Sequence, residues 1–527
     1  MKRLAGWLPL LAVFGGIVAM ALTLRPLLPI DETRYASVAW EMWLRQDFLV
    51  PFKNGATYSH KPPLLFWLMQ GGWAVFGVND WWPRLVHPLM GLASLILAAV
   101  IGRRLWPRLP GAAQTAPYLL LGSLWWAAFT TTSMFDMLVV FFVEVGVLGL
   151  ILAASRRPFL GWFLVALGIG LGILTKGPVV LLFLLPLMLL GPWIWRRQIH
   201  IGRWTVGGLL SFIGGVGIAL CWAIPAGQSG GEAYQNAIFW GQTAGRVSDS
   251  FAHARPFYWY FMFLPGLLFP WFFWPEAWKA VQGPRKEAAV RLCWAWALIP
   301  LVIFSFVSGK QPHYLLPMFP ALALLVGRGL AVRGRAESVR VQLPGVFLAG
   351  LGAFLVVIVL KTEWSPWPEV TPKLSPLWGG ALLSGGLALF FFRSPRREFS
   401  VQRLFLAGPL IVVVAHGAGF GPLANSYNMA PTAQAIGALQ AKGIEVAHLG
   451  EYHAEYHFVG RLEQPLVIHE SYEALKTWVV SHPHAWVLLR KDHHENKKFW
   501  TADVLQTAKP LRPYRTTETV LVPVSSL

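Results

Sequence analysis

The chain is poor in sulfur, in charge and above all in acid. Its two cysteines, Cys221 and Cys293, lie inside apolar stretches and offer no basis for a disulfide framework or a cysteine metal centre. Charged residues make up 13% and hydrophobic residues 55% of the 527 positions, whereas a soluble globular protein carries about 25% charged residues. A polytopic membrane protein follows. Basic residues outnumber acidic ones by 44 to 25, a net charge of +19. Such an excess attracts nucleic acid phosphates, but the positions of the charges point elsewhere. No Walker A, GxGxxG or serine-nucleophile pattern stands in a convincing context, and no internal repeat or low-complexity tract is present.

A bilayer core takes about 20 apolar residues per helix, which places spans near 6–24, 85–101, 116–132, 137–154, 159–175, 179–195, 205–224, 257–274, 292–307, 312–326, 344–360, 374–392 and 404–420. That is about thirteen. The first, after Lys2 and Arg3, lacks a small-x-small cleavage site and reads as a retained signal anchor. Every second loop is basic: Arg103-Arg104 with Arg108, Arg156-Arg157, Arg196-Arg197 with Arg203, Arg285-Lys286, Arg333 with Arg335 and Arg340, and Arg393 with Arg396-Arg397. Short cytoplasmic loops are enriched in Lys and Arg, so these are expected in the cytoplasm. The intervening loops and everything after Phe420 fall on the opposite face. Much of the charge excess is thus a topology signal.

The expected division is a membrane domain over 1–420 and a small α/β domain over 421–527. In the latter, strands are expected at 444–450, 465–469 and 486–490 and helices at 432–442 and 471–481. Two long outer loops stand out, 30–80 and 225–256. The first collects Asp31, Glu32, Arg34, His60 and Lys61. Apolar residues at Tyr35, Val38, Ala39, Met42 and Trp43 have helical spacing over 33–46, too short and mixed to span, so an interfacial helix is expected. Asn54-Gly55 signals a tight hairpin turn, and Pro62-Pro63 suits the first turn of a second short helix over 64–76.

Asp31 is suited to cap the following helix or to act as a general base on an incoming hydroxyl, and both can hold together. Lys61 is a compact charge suited to phosphate, or a lysine snorkelling to the headgroups. Arg255 and Lys310 also sit at outer span ends, where a convergent cationic site would suit an anionic lipid. Asp136 and Glu144 are intramembrane acids, functional candidates because burying them unpaired is costly. Asp136 lies near the outer end; Glu144 lies deeper and is expected to serve a buried cation or backbone group. Lys176 stands at an outer end too, and Tyr314, following Lys310-Gln311-Pro312-His313, could line the same cavity. His60 and His253 could share a divalent ion, although their spacing matches no standard metal motif; otherwise no cofactor is expected.

Asp31-Glu32-Thr33-Arg34-Tyr35, followed by Asn54-Gly55, Tyr58 and Lys61-Pro62, resembles the first periplasmic loop of the bacterial aminoarabinose transferases of lipid A. Those enzymes are related to the dolichyl-phosphomannose-dependent protein mannosyltransferases and share the GT-C fold. Further matches are Phe135-Asp136-Met137, Thr175-Lys176-Gly177-Pro178, the stretch from His253 to Phe257, Lys310 to Pro317, and Pro320-Ala321-Leu322-Ala323. A C-terminal periplasmic domain is also expected of the family. The resemblance implies a bacterial inner-membrane glycosyltransferase using an undecaprenyl-phosphate sugar donor on the periplasmic face, with inversion. Its acceptor would be lipid A or lipopolysaccharide, or else a protein or another glycan.

Carried over by motif, Asp31 matches the essential acid, Asp136 a second cavity acid and Lys61 a ligand of the lipid phosphate. Arg255 and Tyr314 match phosphate-site or cavity residues, and Lys310 is expected at the donor phosphate with them. Glu32, Arg34, Tyr35 and Tyr58 are expected to line the cavity. One departure is visible: His60 stands where those transferases usually carry Glu before Lys-Pro. A transporter or flippase of lipid-linked sugars is the rival class; it favours binding groups near the midplane and repeats, whereas the charged candidates here gather at one face.

Overall fold

The computed structural model describes residues 6–241, 255–284, 286–333, 341–366, 370–392, 397–490, 509–510 and 519–526. Among these, eight helical segments are long and apolar enough to cross a membrane, from Trp81–Leu105 to Phe399–Gln440, and Leu8–Leu24, Leu64–Phe76 and Pro376–Phe391 are shorter apolar helices. The chain is a multi-pass, mainly helical membrane protein. It divides into two compact units: Met1–Ala21, His60–Leu64 and Leu85–Gly419 form the first, and Leu22–Ser59, Leu65–Arg84 and Phe420–Leu527 the second.

Several expected spans of the first unit are interrupted, each for a local reason. The run near 116–132 becomes two helices, Pro110–Gly122 and Leu124–Thr130. Ser123 between them is extended, and the Leu124 N–H donates to the Phe269 carbonyl at 2.9 Å instead of continuing the first helix. The Pro158–Lys176 helix ends at Gly177, whose φ of +75° lies in the left-handed region open to glycine. A 3₁₀ turn, Gly177–Val180, then leads into Leu181–Leu189.

The hairpin of Asp136–Ala153 and Pro158–Lys176 fixes the geometry of the candidate site. Its helices have 18 and 19 residues, each roughly 28 Å long at 1.5 Å per residue, so the start of the first and the end of the second come level. Small residues let the backbones approach closely. A Cβ on Gly161 would lie 2.2 Å from the Ala153 nitrogen, and one on Gly168 would lie 2.8 Å from the Phe142 carbonyl oxygen.

The second unit contains a five-stranded sheet in the order β4-β3-β5-β7-β6. Strands β3 (Val446–Leu449), β4 (Val467–His469) and β5 (Trp486–Arg490) are parallel, while β6 (Lys509–Pro510) and β7 (Thr519–Pro523) add antiparallel pairing. The parallel strands are connected through helices that include Tyr472–Ser481, and Ala430–Gln440 precedes β3. A separate hairpin pairs β1 (Phe52–Lys53) with β2 (Ala56–Thr57). Asn54 and Gly55 between them have φ of 51° and 84°, as a tight Asn-Gly turn requires.

The first long loop is built into this second unit. Its helix, Asp31–Arg45, buries ten of its 15 residues. Ser37 Oγ donates to the Ala454 carbonyl at 2.7 Å, and Trp40 Nε1 donates to that of Leu462 at 3.0 Å. The Asn54 side chain exchanges two hydrogen bonds with the Leu466 backbone, at 3.0 and 2.8 Å. Trp73 of the Leu64–Phe76 helix stacks on Phe458 with ring centroids 5.2 Å apart. The apolar stripe expected to lie on the membrane is therefore largely covered by the C-terminal segment.

Candidate functional site

The hairpin brings the first residue of one helix beside the last of the next. Lys176 Nζ donates to Asp136 Oδ1 at 2.7 Å, and His313 Nε2 lies 4.0 Å from the same oxygen. Asp136 is buried, and its Oδ2 has no hydrogen-bond partner among the described residues. Lys176 Nζ also sits 4.9 Å from the centre of the Tyr314 ring. His313 and Tyr314 belong to the 3₁₀ turn Pro312–Met318, and His313 packs on Phe129 with centroids 5.2 Å apart. Lys61 Nζ lies 5.9 Å from the Phe135 ring centre, and its charge acts on the Asp136 carboxylate.

This cluster sets two lysines, an imidazole and a phenol around one carboxylate. Its positive excess suits an anion such as a phosphate. Lys61, Asp136 and Tyr314 are site residues expected from the sequence; Lys176 and His313 join them here without a role assigned from the sequence. The signal for Lys176 was its own motif, Thr175-Lys176-Gly177-Pro178.

Lys310 is used differently from expectation. It is 3% exposed, and its ammonium donates to the carbonyls of Arg255, at 2.9 Å, and Val307. The Arg255 N–H in turn donates to the Ser308 carbonyl at 3.1 Å. Lys310 thus ties the Arg255 backbone to the loop that leads into His313 and Tyr314, with the Arg255 residue itself exposed.

In the second unit, Asp31 and Glu32 occupy the first turn of their helix, where negative charge meets the favourable end of the helix dipole. Neither makes a side-chain cap; Ile30 is the residue at the cap position. Asp31 Oδ1 accepts from Arg34 Nη2 and, at 3.1 Å, from the Tyr35 hydroxyl. The Asp31 side chain is 44% exposed, so this oriented carboxylate is open to a ligand. Burial, then the Asp31 charge, holds the Tyr35 phenol well above its ordinary pKa and keeps it a donor. Tyr58 is also buried, edge-on to Phe66, and lies close enough to act electrostatically on Arg34.

Glu32, expected to line the cavity, is taken up by a buried ion pair. It is 2% exposed, and its oxygens accept from Arg25 at 2.5 and 2.9 Å and from the Leu28 N–H at 2.8 Å. Arg25 directly follows the apolar helix Leu8–Leu24, and a basic residue at that place was its sequence signal. Arg84 completes the clamp by donating to the carbonyls of Leu22 and Arg25 at 2.9 and 2.8 Å.

Glu144 is fully buried and accepts from the Ser94 hydroxyl, and among the described residues it has no ion pair; its partner is a side-chain hydroxyl where a buried cation or a backbone group was expected. His60 is exposed, and His253 lies outside the described residues. Among the described residues no group of three or more His, Cys, Asp or Glu is arranged to hold a metal ion.

The family model described as dolichyl-phosphate-mannose-protein mannosyltransferase matches residues 60–220. An undecaprenyl phosphate-α-4-amino-4-deoxy-L-arabinose arabinosyl transferase of Pseudomonas aeruginosa strain UCBPP-PA14 is 33% identical over 368 residues, covering 68% of this chain and 65% of that protein. The chain thus spans slightly under two thirds of the length of this curated relative. A crystal structure of ArnT from Cupriavidus metallidurans bound to undecaprenyl phosphate superposes with a TM-score of 0.73 over 98% of both chains at 19% identity. The apo form of that protein gives 0.77 over 99% of both at 17% identity. By sequence the chain is similar to an undecaprenyl phosphate-aminoarabinose arabinosyl transferase, and by architecture it has the fold of the ArnT structures.

Proposed function

We propose that the chain is an inverting membrane glycosyltransferase. It moves a sugar from undecaprenyl phosphate to a lipid A or lipopolysaccharide acceptor at the periplasmic face of the bacterial inner membrane. In this reading the chain crosses the bilayer about thirteen times, with the first long loop and the C-terminal domain periplasmic. The observation that carries it is the cationic cluster around Asp136, in which Lys176, Lys61, His313 and Tyr314 are gathered at the end of the hairpin.

Two groups of residues take distinct roles. As the anomeric C–O bond breaks, negative charge grows on the departing polyprenyl phosphate, and fixed cations stabilise it without reorganising. Lys61 and Lys176, with Tyr314 and Arg255, take that role, and Asp136 holds Lys176 in place. Asp31, oriented by Arg34 and Tyr35, takes the proton of an acceptor hydroxyl, or orients an acceptor phosphate that is already ionised. A single displacement inverts the anomeric centre. No cofactor is required by these steps. A divalent ion at His60 and His253 is a separate proposal, which metal analysis of the purified protein and of a His60→Ala variant tests.

The name of the aminoarabinose relatives supports the donor, and lipid A as acceptor comes with the resemblance. Mass spectrometry of lipid A, other lipids and glycoproteins from a strain with and without the gene tests this. Loss of a glycosylated lipid A species is expected. An unchanged lipid A together with an altered glycoprotein would move the acceptor to protein.

A further inference from the structure

The second unit holds a polar cavity of about 290 Å³ beside the C-terminal half of the Asp31–Arg45 helix. Glu41, Arg45, His457, Leu462, Glu463 and Gln464 line it. Its walls are fixed: Glu41 Oε1 accepts from Arg45 at 3.0 Å and from the Gly55 N–H at 2.7 Å, while the Leu462 carbonyl accepts from Trp40. Gln440 Nε2 donates to the Gln464 carbonyl at 3.0 Å. The Glu463 and Gln464 side chains are exposed at the rim and make no hydrogen bond among the described residues.

His457 supplies the second observation. It is 4% exposed, its Nδ1 is 2.7 Å from the Tyr452 hydroxyl, and its Nε2 is buried with no partner among the described residues. The Tyr452 oxygen accepts from the Tyr456 N–H at 3.4 Å, which leaves its own proton for Nδ1. Burial raises the Tyr452 phenol well above its ordinary pKa and lowers the His457 imidazole to about 4, so the pair is neutral at physiological pH. With Nδ1 accepting, Nε2 carries the hydrogen. A buried donor left without an acceptor is costly, and a small turn of the ring toward the cavity it lines would offer it to a ligand oxygen.

The lining selects the chemistry. Two carboxylates surround one guanidinium that is already paired to Glu41, so an anion would meet surplus negative charge. The donor and acceptor mixture instead matches a neutral polyhydroxyl compound: its hydroxyls donate to Glu463 and Glu41 and accept from His457 and Gln464. The volume falls at the small end of ligand sites.

We propose that this cavity is a saccharide subsite that binds a sugar ring of the acceptor glycan. Glu41 lies ten residues after Asp31 on one helix, roughly 15 Å away along the axis. The subsite and the acid are therefore held by one rigid element, and a glycan of a few sugars can engage both. The assignment to the acceptor rests on the glycosyltransferase reading.

The test uses the full chain in detergent micelles and chitobiose as the probe, observed by saturation-transfer NMR. Wild type is expected to transfer saturation to the sugar protons with millimolar affinity. The rim variants Glu463→Ala and Gln464→Ala are each expected to weaken binding by about tenfold, the worth of roughly one good hydrogen bond to a charged or amide group, with melting temperature unchanged. His457→Leu is expected to weaken it further. No saturation transfer to chitobiose in wild type, or undiminished transfer in both rim variants, would overturn the subsite. Binding that follows this pattern in a protein that fails to cleave the lipid-linked donor would retain the subsite and reject the transferase reading.

Discussion

Lys176 Nζ donates to Asp136 Oδ1 at 2.7 Å, joining the last residue of one helix to the first of its hairpin partner. Both side chains are largely withdrawn from solvent, at 16% and 6% exposure. The pair locks the open end of the hairpin and also presents a cation beside Tyr314 and Lys61. Removing one member leaves the other buried and uncompensated, which typically costs about 3–5 kcal/mol. Lys176→Met should therefore lower stability strongly, and adding Asp136→Asn should recover part of that loss. A double-mutant cycle of thermal unfolding in detergent checks it; simple additivity would mean that the pair is not coupled.

Arg25 and Glu32 form a second buried pair, each 2% exposed, that sets the start of the helix carrying Asp31. Arg25→Met is expected to destabilise by about 3 kcal/mol or more on the same ground. Because Asp31 is the neighbouring residue, donor turnover should fall as well. A variant of full stability and full activity would show that this clamp does not position the acid.

Gly161 lies where the hairpin backbones touch, with the Ala153 nitrogen 2.2 Å from the position a Cβ would take. Gly161→Val should separate the helices, disturb the contact of Asp136 with Lys176 and cost about 1–3 kcal/mol or more. Gly15→Ala is the control, since a Cβ there meets nothing within 4 Å. Equal melting temperatures for the two variants would contradict the packing.

His457 is held neutral by burial, its pKa lowered to about 4 from 6.5. The unfolded chain takes up a proton at this residue below pH 6.5, whereas the folded chain does so only near 4. Its stabilising contribution is thus complete above about pH 6.5 and is lost as pH falls toward 4, on the order of 3 kcal/mol in total. Chemical unfolding between pH 4 and 7 should show a steeper loss of stability for wild type than for His457→Gln. Parallel profiles would remove His457 from the acid response.

Local and class-level features were legible in the residues. Long apolar runs carried the membrane class, Asn54-Gly55 carried the β1–β2 hairpin, and the apolar stretches after Phe420 carried β3, β4 and β5. Strand β7 escaped notice because its five residues, Thr519–Pro523, follow a long polar stretch and become a strand by pairing with β5. The helix at Asp31–Arg45 was legible as amphipathic, but a hydrophobic stripe does not say what covers it. Its cover includes Ala454, Phe458 and Leu462, more than 400 positions away. The roles of Lys176, Glu32 and Lys310 were hidden for the same reason. Each charge is decided by a partner that only the fold supplies: Asp136 for the first, Arg25 for the second and the carbonyls of Arg255 and Val307 for the third.

The most direct measurement is transfer from radiolabelled undecaprenyl-phosphate aminoarabinose to lipid A by the purified full chain, alongside Asp31→Asn and Lys61→Ala. Wild type should release undecaprenyl phosphate and label the acceptor. Asp31→Asn should lose at least about a hundredfold in kcat, the scale of a general base. Lys61→Ala should lose turnover through weakened donor binding and a poorer leaving group. Full transfer by both variants would contradict the assignment of the acid and of the phosphate-binding lysine.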